Sequence, residues 1–305
     1  MRIVYLGTPD FAVLPLKKLI ENGYQIVGVV TNKDKPVGRK QVLTPPPVKV
    51  LAQENNLPIF QYDKIRVEGV EDIKNLNPDL MITCAFGQIL SQEILDIPRL
   101  GVINIHASLL PKYRGASPIH YAILNGEKQT GVTIMKTDIG VDTGDMISCE
   151  KTQIRDDETC GELFDRLSVM GADLLIKTLP SIIDGSAEFV KQNDTDATFT
   201  KIIKKEMAQI DWNNSAVQIY NQIRAFNPAP VAFCSYQGAP FKVFEAQVAK
   251  LDGQAGKVLK ADNQLVIACG KDALSLIKVQ KAGGKPMSIC DFLRGNKFTV
   301  GEDFI

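Results

Sequence analysis

Short apolar runs recur through the first half of the chain, and segments of helical pattern separate them. RIVYLG (2–7) precedes residues 11–22, where Phe11, Leu14, Leu19 and Ile20 fall near helical spacing and Gly23 ends the segment. YQIVGVVT (24–31) precedes a PPP run and a short helix over 47–55. A helix end then leads into a buried run at 79–84, and GVINIH (101–106) is another. Strands alternating with helices predict an α/β fold with a doubly wound, mostly parallel sheet. Ligands of such sheets gather beyond the carboxyl ends of the strands. Gly7, Thr31, residues 85–88 and His106 fall at those ends.

The pattern then changes. Residues 130–154 read as two strands joined by a Gly- and Asp-rich loop, and a long amphipathic helix follows over 159–184 with Gly185 behind it. The stretch 189–208 is polar and irregular, as a linker is. Residues 213–226 are helical in pattern, and short alternating runs separated by turn pairs fill the remainder, which predicts a small β-barrel. The expected division is an α/β domain over 1–188, a linker over 189–208 and a barrel domain over 209–305. A chain of 305 residues is long enough to give both a full core.

Composition excludes several classes. Formal net charge is zero, so no global field marks a nucleic-acid protein, although residues 209–305 carry 11 Lys and Arg against 8 Asp and Glu. The six cysteines form no C-x-x-C pair and two histidines cannot complete an ordinary zinc pattern, so no metal is expected and the thiols read as buried and structural. No apolar run approaches the roughly 18 residues of a membrane span. The start, MRIVYLGTPDF, resembles neither a signal nor a transit peptide. A cytoplasmic monomer without membrane contact is expected.

Chemistry concentrates after the GVINIH run. Side chains in a strand alternate, so Asn104 and His106 share one side. A lone strand histidine is usually structural, but two polar groups on one face of an apolar strand demand partners. Ser108, Tyr113 and Arg114 follow in the next loop, and Asp142 lies in a second polar loop, DIGVDTGD, from which it can orient the imidazole. An amide donor, an imidazole and a carboxylate suit addition to a carbonyl, in which negative charge builds on oxygen. No Ser or Cys nucleophile is needed if the substrate brings its own amine. Gly7 ends the first strand without a G-x-G-x-x-G, which argues against a nicotinamide oxidoreductase. The segment 31–49 carries Lys33, Lys35, Arg39, Lys40 and Lys49 against Asp34. It is long for a strand-to-helix connection, and it suits a mobile basic loop that grips phosphates.

GTPDF, KPVGRK, CAFGQIL, NIHASLLPKYRGASPI, TGVTIM, DTGD, IDW (210–212) and RAFNPAP (224–230) occur in that order. Together they resemble the methionyl-tRNA formyltransferase family, over essentially the whole chain. The Asn-His-SLLP and DTGD core is shared by the wider folate-dependent formyltransferase superfamily. The resemblance implies a Rossmann-like formyltransferase catalytic domain followed by an OB-like β-barrel that contacts tRNA. It implies formyl transfer from 10-formyltetrahydrofolate to the α-amino group of methionyl initiator tRNA, in translation initiation and without a metal. Asn104, His106 and Asp142 match the catalytic trio. Ser108, Leu109, Leu110 and Pro111 match the folate-contacting segment, and Phe86, Gly87, Gln88, Ile89 and Leu90 the backbone loop that cradles the pterin. Lys33, Lys35, Arg39 and Lys40 are the expected tRNA contacts. The loop reads GRKQVL where a denser G-R-G-K-K-type run is usual, and RAFNPAP lacks a tryptophan often found there. The competing readings are a formyltransferase acting on a sugar nucleotide or other small amine, and a non-catalytic RNA-binding protein.

Overall fold

A computed structural model describes residues 1–38 and 40–304. They form two compact units: residues 1–115, 130–152 and 164–200, and residues 116–129, 153–163 and 201–305.

The first unit holds strands β1 (Arg2–Gly7), β2 (Gln25–Thr31), β3 (Lys35–Val37), β4 (Val42–Thr44), β5 (Ile59–Gln61), β6 (Leu80–Cys84), β7 (Val102–His106), β8 (Arg114–Gly115), β9 (Gln129–Lys136), β10 (Met146–Gln153) and β11 (Phe199–Thr200). Seven of them make one sheet in the order β10-β9-β7-β6-β1-β2-β5. The pairs β5/β2, β2/β1, β1/β6 and β6/β7 are parallel, and β7/β9 is antiparallel. Ile3, Val4, Tyr5 and Leu6 of β1 and Leu80, Met81 and Ile82 of β6 are wholly buried. Apolar side chains on both faces are what a covered parallel sheet requires. The chain leaves β1 for β2 on one side and reaches β6 on the other. Gly7 pairs with Cys84 and Thr83 with Asn104, so the carboxyl ends of β1, β6 and β7 share one edge. The helix expected over 11–22 is a 3-10 turn, Asp10–Ala12, continued by Val13–Glu21.

In the second unit, the helix Ala216–Ala225 starts on a capping box: the Ser215 hydroxyl accepts from the Gln218 amide, and the Gln218 side chain accepts from the Ser215 N–H at 3.0 Å. Strands β12 (Ala232–Tyr236), β13 (Ala239–Ala249), β14 (Val258–Ala261), β15 (Leu265–Ala268), β16 (Ala273–Lys281) and β17 (Met287–Ser288) form an antiparallel sheet in the order β12-β13-β16-β15-β14, with β17 on β16. The expected barrel does not close. Among the described residues β12 and β14 remain the two ends of the order, each flanked by an isolated bridge, Gln209 to Phe233 and Lys257 to Asp303. Alternation and turn spacing set the strands, but closure depends on strand number, tilt and shear, which the pattern does not carry. Ile210, Trp212, Ile219, Phe241, Leu265, Leu274 and Phe304 form this unit's core.

Candidate active site

The site begins with two side chains of β7 and the strands beside it. Asn104 and His106 lie two residues apart on one face; β6 sets Thr83 opposite Asn104, and β9 sets Thr133 opposite His106. The Thr83 hydroxyl lies 2.9 Å from Asn104 Oδ1 and donates to it. The Asn104 amide is thereby oriented with Nδ2 toward Asp142, 3.4 Å from Oδ1. His106 is 5% exposed, and its Nε2 donates to the Tyr113 carbonyl at 3.0 Å. A carbonyl only accepts, so the proton of that bond belongs to Nε2. Nδ1 faces Asp142 Oδ2 at 3.5 Å. The sequence assigns orientation of the imidazole to Asp142, whereas the shorter contact comes from Tyr113.

Asp142 is held from its other side. Gly115 donates its backbone N–H to Oδ2 at 2.7 Å. Position 115 has φ +101°, and a Cβ there would stand 2.6 Å from the Thr200 carbonyl oxygen, so only glycine fits. Asn104 Nδ2 and His106 Nδ1 therefore converge on one carboxylate at distances longer than a good hydrogen bond. An amide donor and an imidazole nitrogen, which donates when it too carries a proton, can turn to an incoming oxygen beside a carboxylate that can receive a proton, and such a set is equipped for addition to a carbonyl. Cys84, at the end of β6, is not a competing nucleophile. Burial pushes its thiol up to about 12, so it stays protonated at neutral pH.

The other expected site residues divide. Ser108 is buried, its hydroxyl donating to the Lys112 carbonyl at 2.7 Å and its carbonyl accepting from Thr133. Leu110 is buried and receives a second brace, its N–H donating to Thr133 Oγ1 at 3.3 Å; Leu109 and Pro111 are half-buried. Phe86 and Leu90 point into the core, while Gly87 and Ile89 are exposed. Gln88 is fully engaged: Nε2 donates to Asn32 Oδ1 at 2.7 Å and to the Tyr62 carbonyl at 3.1 Å, and Oε1 accepts from the Ile65 N–H at 2.9 Å. Among the described residues, the backbone amides of 86–90 donate no hydrogen bond to protein.

The basic segment is a hairpin rather than an open loop. Lys35 pairs with Thr44, Pro36 with Leu43 and Val37 with Val42, all exposed. Lys33 is bridged to Asp63 at 2.5 Å. Lys49 donates to Asp34 at 2.7 Å and Gln61 Nε2 donates to Asp34 Oδ1 at 2.9 Å, and these bonds hold the Asp34 carboxyl below its usual range. Lys35 and Lys40 are exposed and make no ion pair among the described residues. Arg39 lies outside the described residues.

Sequence reasoning missed Thr83, the Tyr113 carbonyl, the Gly115 amide and Gln192, whose Nε2 donates to the Asp142 carbonyl at 2.8 Å. Thr83 had a signal, a hydroxyl on an otherwise apolar strand. The backbone groups had none. Among the described residues no group of three or more His, Cys, Asp or Glu is arranged to hold a metal, and no helix is long and apolar enough to cross a membrane.

Two family models match the chain. The formyl transferase family matches residues 1–179, and the formyl transferase C-terminal domain matches residues 202–297. A methionyl-tRNA formyltransferase of Bacillus pumilus is 49% identical over 306 residues, covering 99% of this chain and 96% of its own length. One from Lysinibacillus sphaericus is 48% identical over 309 residues, covering 99% of each. Among solved structures, a sugar 3N-formyl transferase determined in the presence of dTDP and 5-N-formyl-THF superposes with a TM-score of 0.69 at 25% identity, over 93% of this chain and 99% of that one. With both parts matched and nearly half of all positions shared along almost the whole chain, the chain belongs to the formyl transferase family, on its methionyl-tRNA formyltransferase branch.

Proposed function

We propose that the chain transfers a formyl group from 10-formyltetrahydrofolate to the α-amino group of methionyl initiator tRNA. The observation that carries the chemistry is the convergence of Asn104 Nδ2 and His106 Nδ1 beside Asp142 at the tip of β7. The folate donor, when bound, supplies an electrophilic carbonyl carbon and a nitrogen leaving group. Asn104 and His106 turn their N–H groups to the oxygen on which negative charge develops, a donor being worth about 3–4 kcal/mol there. A proton on Nδ1, beside the carboxylate, makes His106 a charge-assisted donor. Asp142 Oδ1, whose contact is the long one to Asn104, receives the proton of the attacking amine directly or through water.

The fit to folate rests on residues 86–90. Their open backbone amides, at the end of β6, suit the hydrogen-bonding edge of a pterin, and Gln88 keeps the loop in shape by its bonds to Asn32, Tyr62 and Ile65. The braced 108–111 turn forms the next wall. The acceptor is read from the relatives at 48–49% identity. The exposed lysines of the β3–β4 hairpin and the positive balance of 209–305 supply contacts for an RNA backbone.

The test is incubation with 10-formyltetrahydrofolate and charged initiator or charged elongator tRNA, followed by detection of N-formylmethionine. Formylation of the initiator and not the elongator is expected; formylation of neither, or of an amino-sugar nucleotide alone, overturns the proposal. Replacing Lys35 and Lys40 by Ala is expected to weaken tRNA binding and flatten its salt dependence, by a slope of about 0.9 per lost phosphate contact on a duplex, with kcat unchanged. Titration of tRNA affinity against salt checks it; an unaltered slope removes the hairpin from the interface.

A further inference from the structure

The polar composition of 189–208 reads as a tether, yet its side chains turn back onto the site. Gln192 is the centre of this return. Its Nε2 donates to the Asp142 carbonyl at 2.8 Å and to the Gly144 carbonyl at 2.7 Å, while its Oε1 accepts from Arg114 Nε at 2.9 Å. Arg114 is 2% exposed; its Nη2 donates to Asp194 Oδ1 at 2.8 Å, and its carbonyl accepts from Thr200 Oγ1 at 3.1 Å. The next residue, Gly115, gives the N–H that holds the Asp142 carboxylate. Two residues before Gln192, Val190 exchanges backbone hydrogen bonds with Met146, both 2.8 Å, just past the Asp142 loop.

Asp142 itself has φ +52°, a left-handed conformation that an aspartate adopts but that surrounding contacts must hold. Both N–H groups of one side-chain amide are spent on the two carbonyls that bracket this turn. A segment that only needed anchoring would be served by the Arg114 bond. We infer that Gln192 is a positioning residue for Asp142. It clamps the backbone at 142 and 144, and through Arg114 it ties that clamp to the strand that presents the Gly115 amide. Gln192 acts only through Asp142, and the inference rests on the reading of Asp142 as proton acceptor.

Two variants separate the clamp from the anchor. Gln192→Met removes every bond. Gln192→Glu keeps an oxygen for Arg114, whose charge it meets, but donates nothing to the two carbonyls. Both are expected to lower kcat for formyl transfer by about 10²-fold, the effect of misplacing a reacting group by about 1 Å, with KM for tRNA and folate unchanged. Both are also expected to reduce the hydrogen-exchange protection of the Gly115 amide. Wild-type kcat and Gly115 protection in Gln192→Glu would overturn the inference, because the anchor alone would then suffice. A raised KM at unchanged kcat would overturn it too, making Gln192 a binding residue. If Gln192→Met does not fold, Gln192→Glu carries the comparison. If the wild-type chain formylates no charged tRNA, the functional reading fails, while Gly115 exchange still decides whether Gln192 holds Asp142.

Discussion

Asp142→Asn is expected to lower kcat for formyl transfer by about 10²–10⁴-fold, the range of a lost general base, while tRNA affinity and the melting temperature stay near wild type. The substitution conserves shape, and an amide oxygen still accepts from the Gly115 N–H. The other end of the amide then presents an NH2 to Asn104 Nδ2, donor against donor, where the wild type has Oδ1. The pocket loses the oxygen that takes a proton, and it loses the negative charge that lies 3.5 Å from His106 Nδ1. His106→Ala is expected to cost about 10²–10³-fold, as for one oxyanion donor, and to remove the Nε2 bond to the Tyr113 carbonyl. The losses of an Asp142→Asn, His106→Ala double variant are expected to fall well short of additive, because the two groups act as a unit. Single-turnover transfer measured alongside tRNA binding reads all three variants. Near-normal kcat in Asp142→Asn would remove the carboxylate from the chemistry.

What the sequence conveys and what it withholds follow from the range of the forces involved. β1, β6 and β7 are legible because a strand buried on both faces is a continuous apolar run, and the run is local. Asn104 and His106 are legible as a pair because two residues of one strand share a face whatever the tertiary fold. Asp142 is 38 residues from Asn104, and its pairing with them is a property of the sheet edge, which the residues alone leave open. The Tyr113 carbonyl and the Gly115 amide are backbone groups that every sequence contains, so nothing marks them before the chain is folded. Gln192 is withheld for another reason: a polar stretch looks the same whether water or protein satisfies it. The hairpin Lys35–Val37 with Val42–Thr44 is hidden likewise, since exposed strands of three residues give the alternation rule too little to work on.

The glycine of DTGD tests whether the Asp142 loop has slack. A Cβ on Gly144 would lie 1.8 Å from the Lys136 carbonyl oxygen and 2.9 Å from its carbon, both backbone atoms at the end of β9. Lys136 is fixed in turn, its N–H donating to the Asp145 carbonyl at 2.8 Å. No side chain can swing away to make room, so Gly144→Ala has to displace the loop, the strand end or both. The Gly144 carbonyl is also one of the two held by Gln192, which couples the displacement to Asp142. Overpacking of this kind costs about 1–3 kcal/mol of stability, and a shift of about 1 Å in the carboxylate lowers kcat by about 10²-fold. Gly140→Ala in the same loop is the control. Its Cβ would meet Thr143 Oγ1 at 2.0 Å, a side-chain atom that can turn away at the cost of its bond to Asp138, so a smaller effect on kcat is expected. Thermal denaturation and single-turnover transfer on both variants decide the matter. Equal behaviour of the two would mean that the backbone contact at Gly144 does not set the position of Asp142.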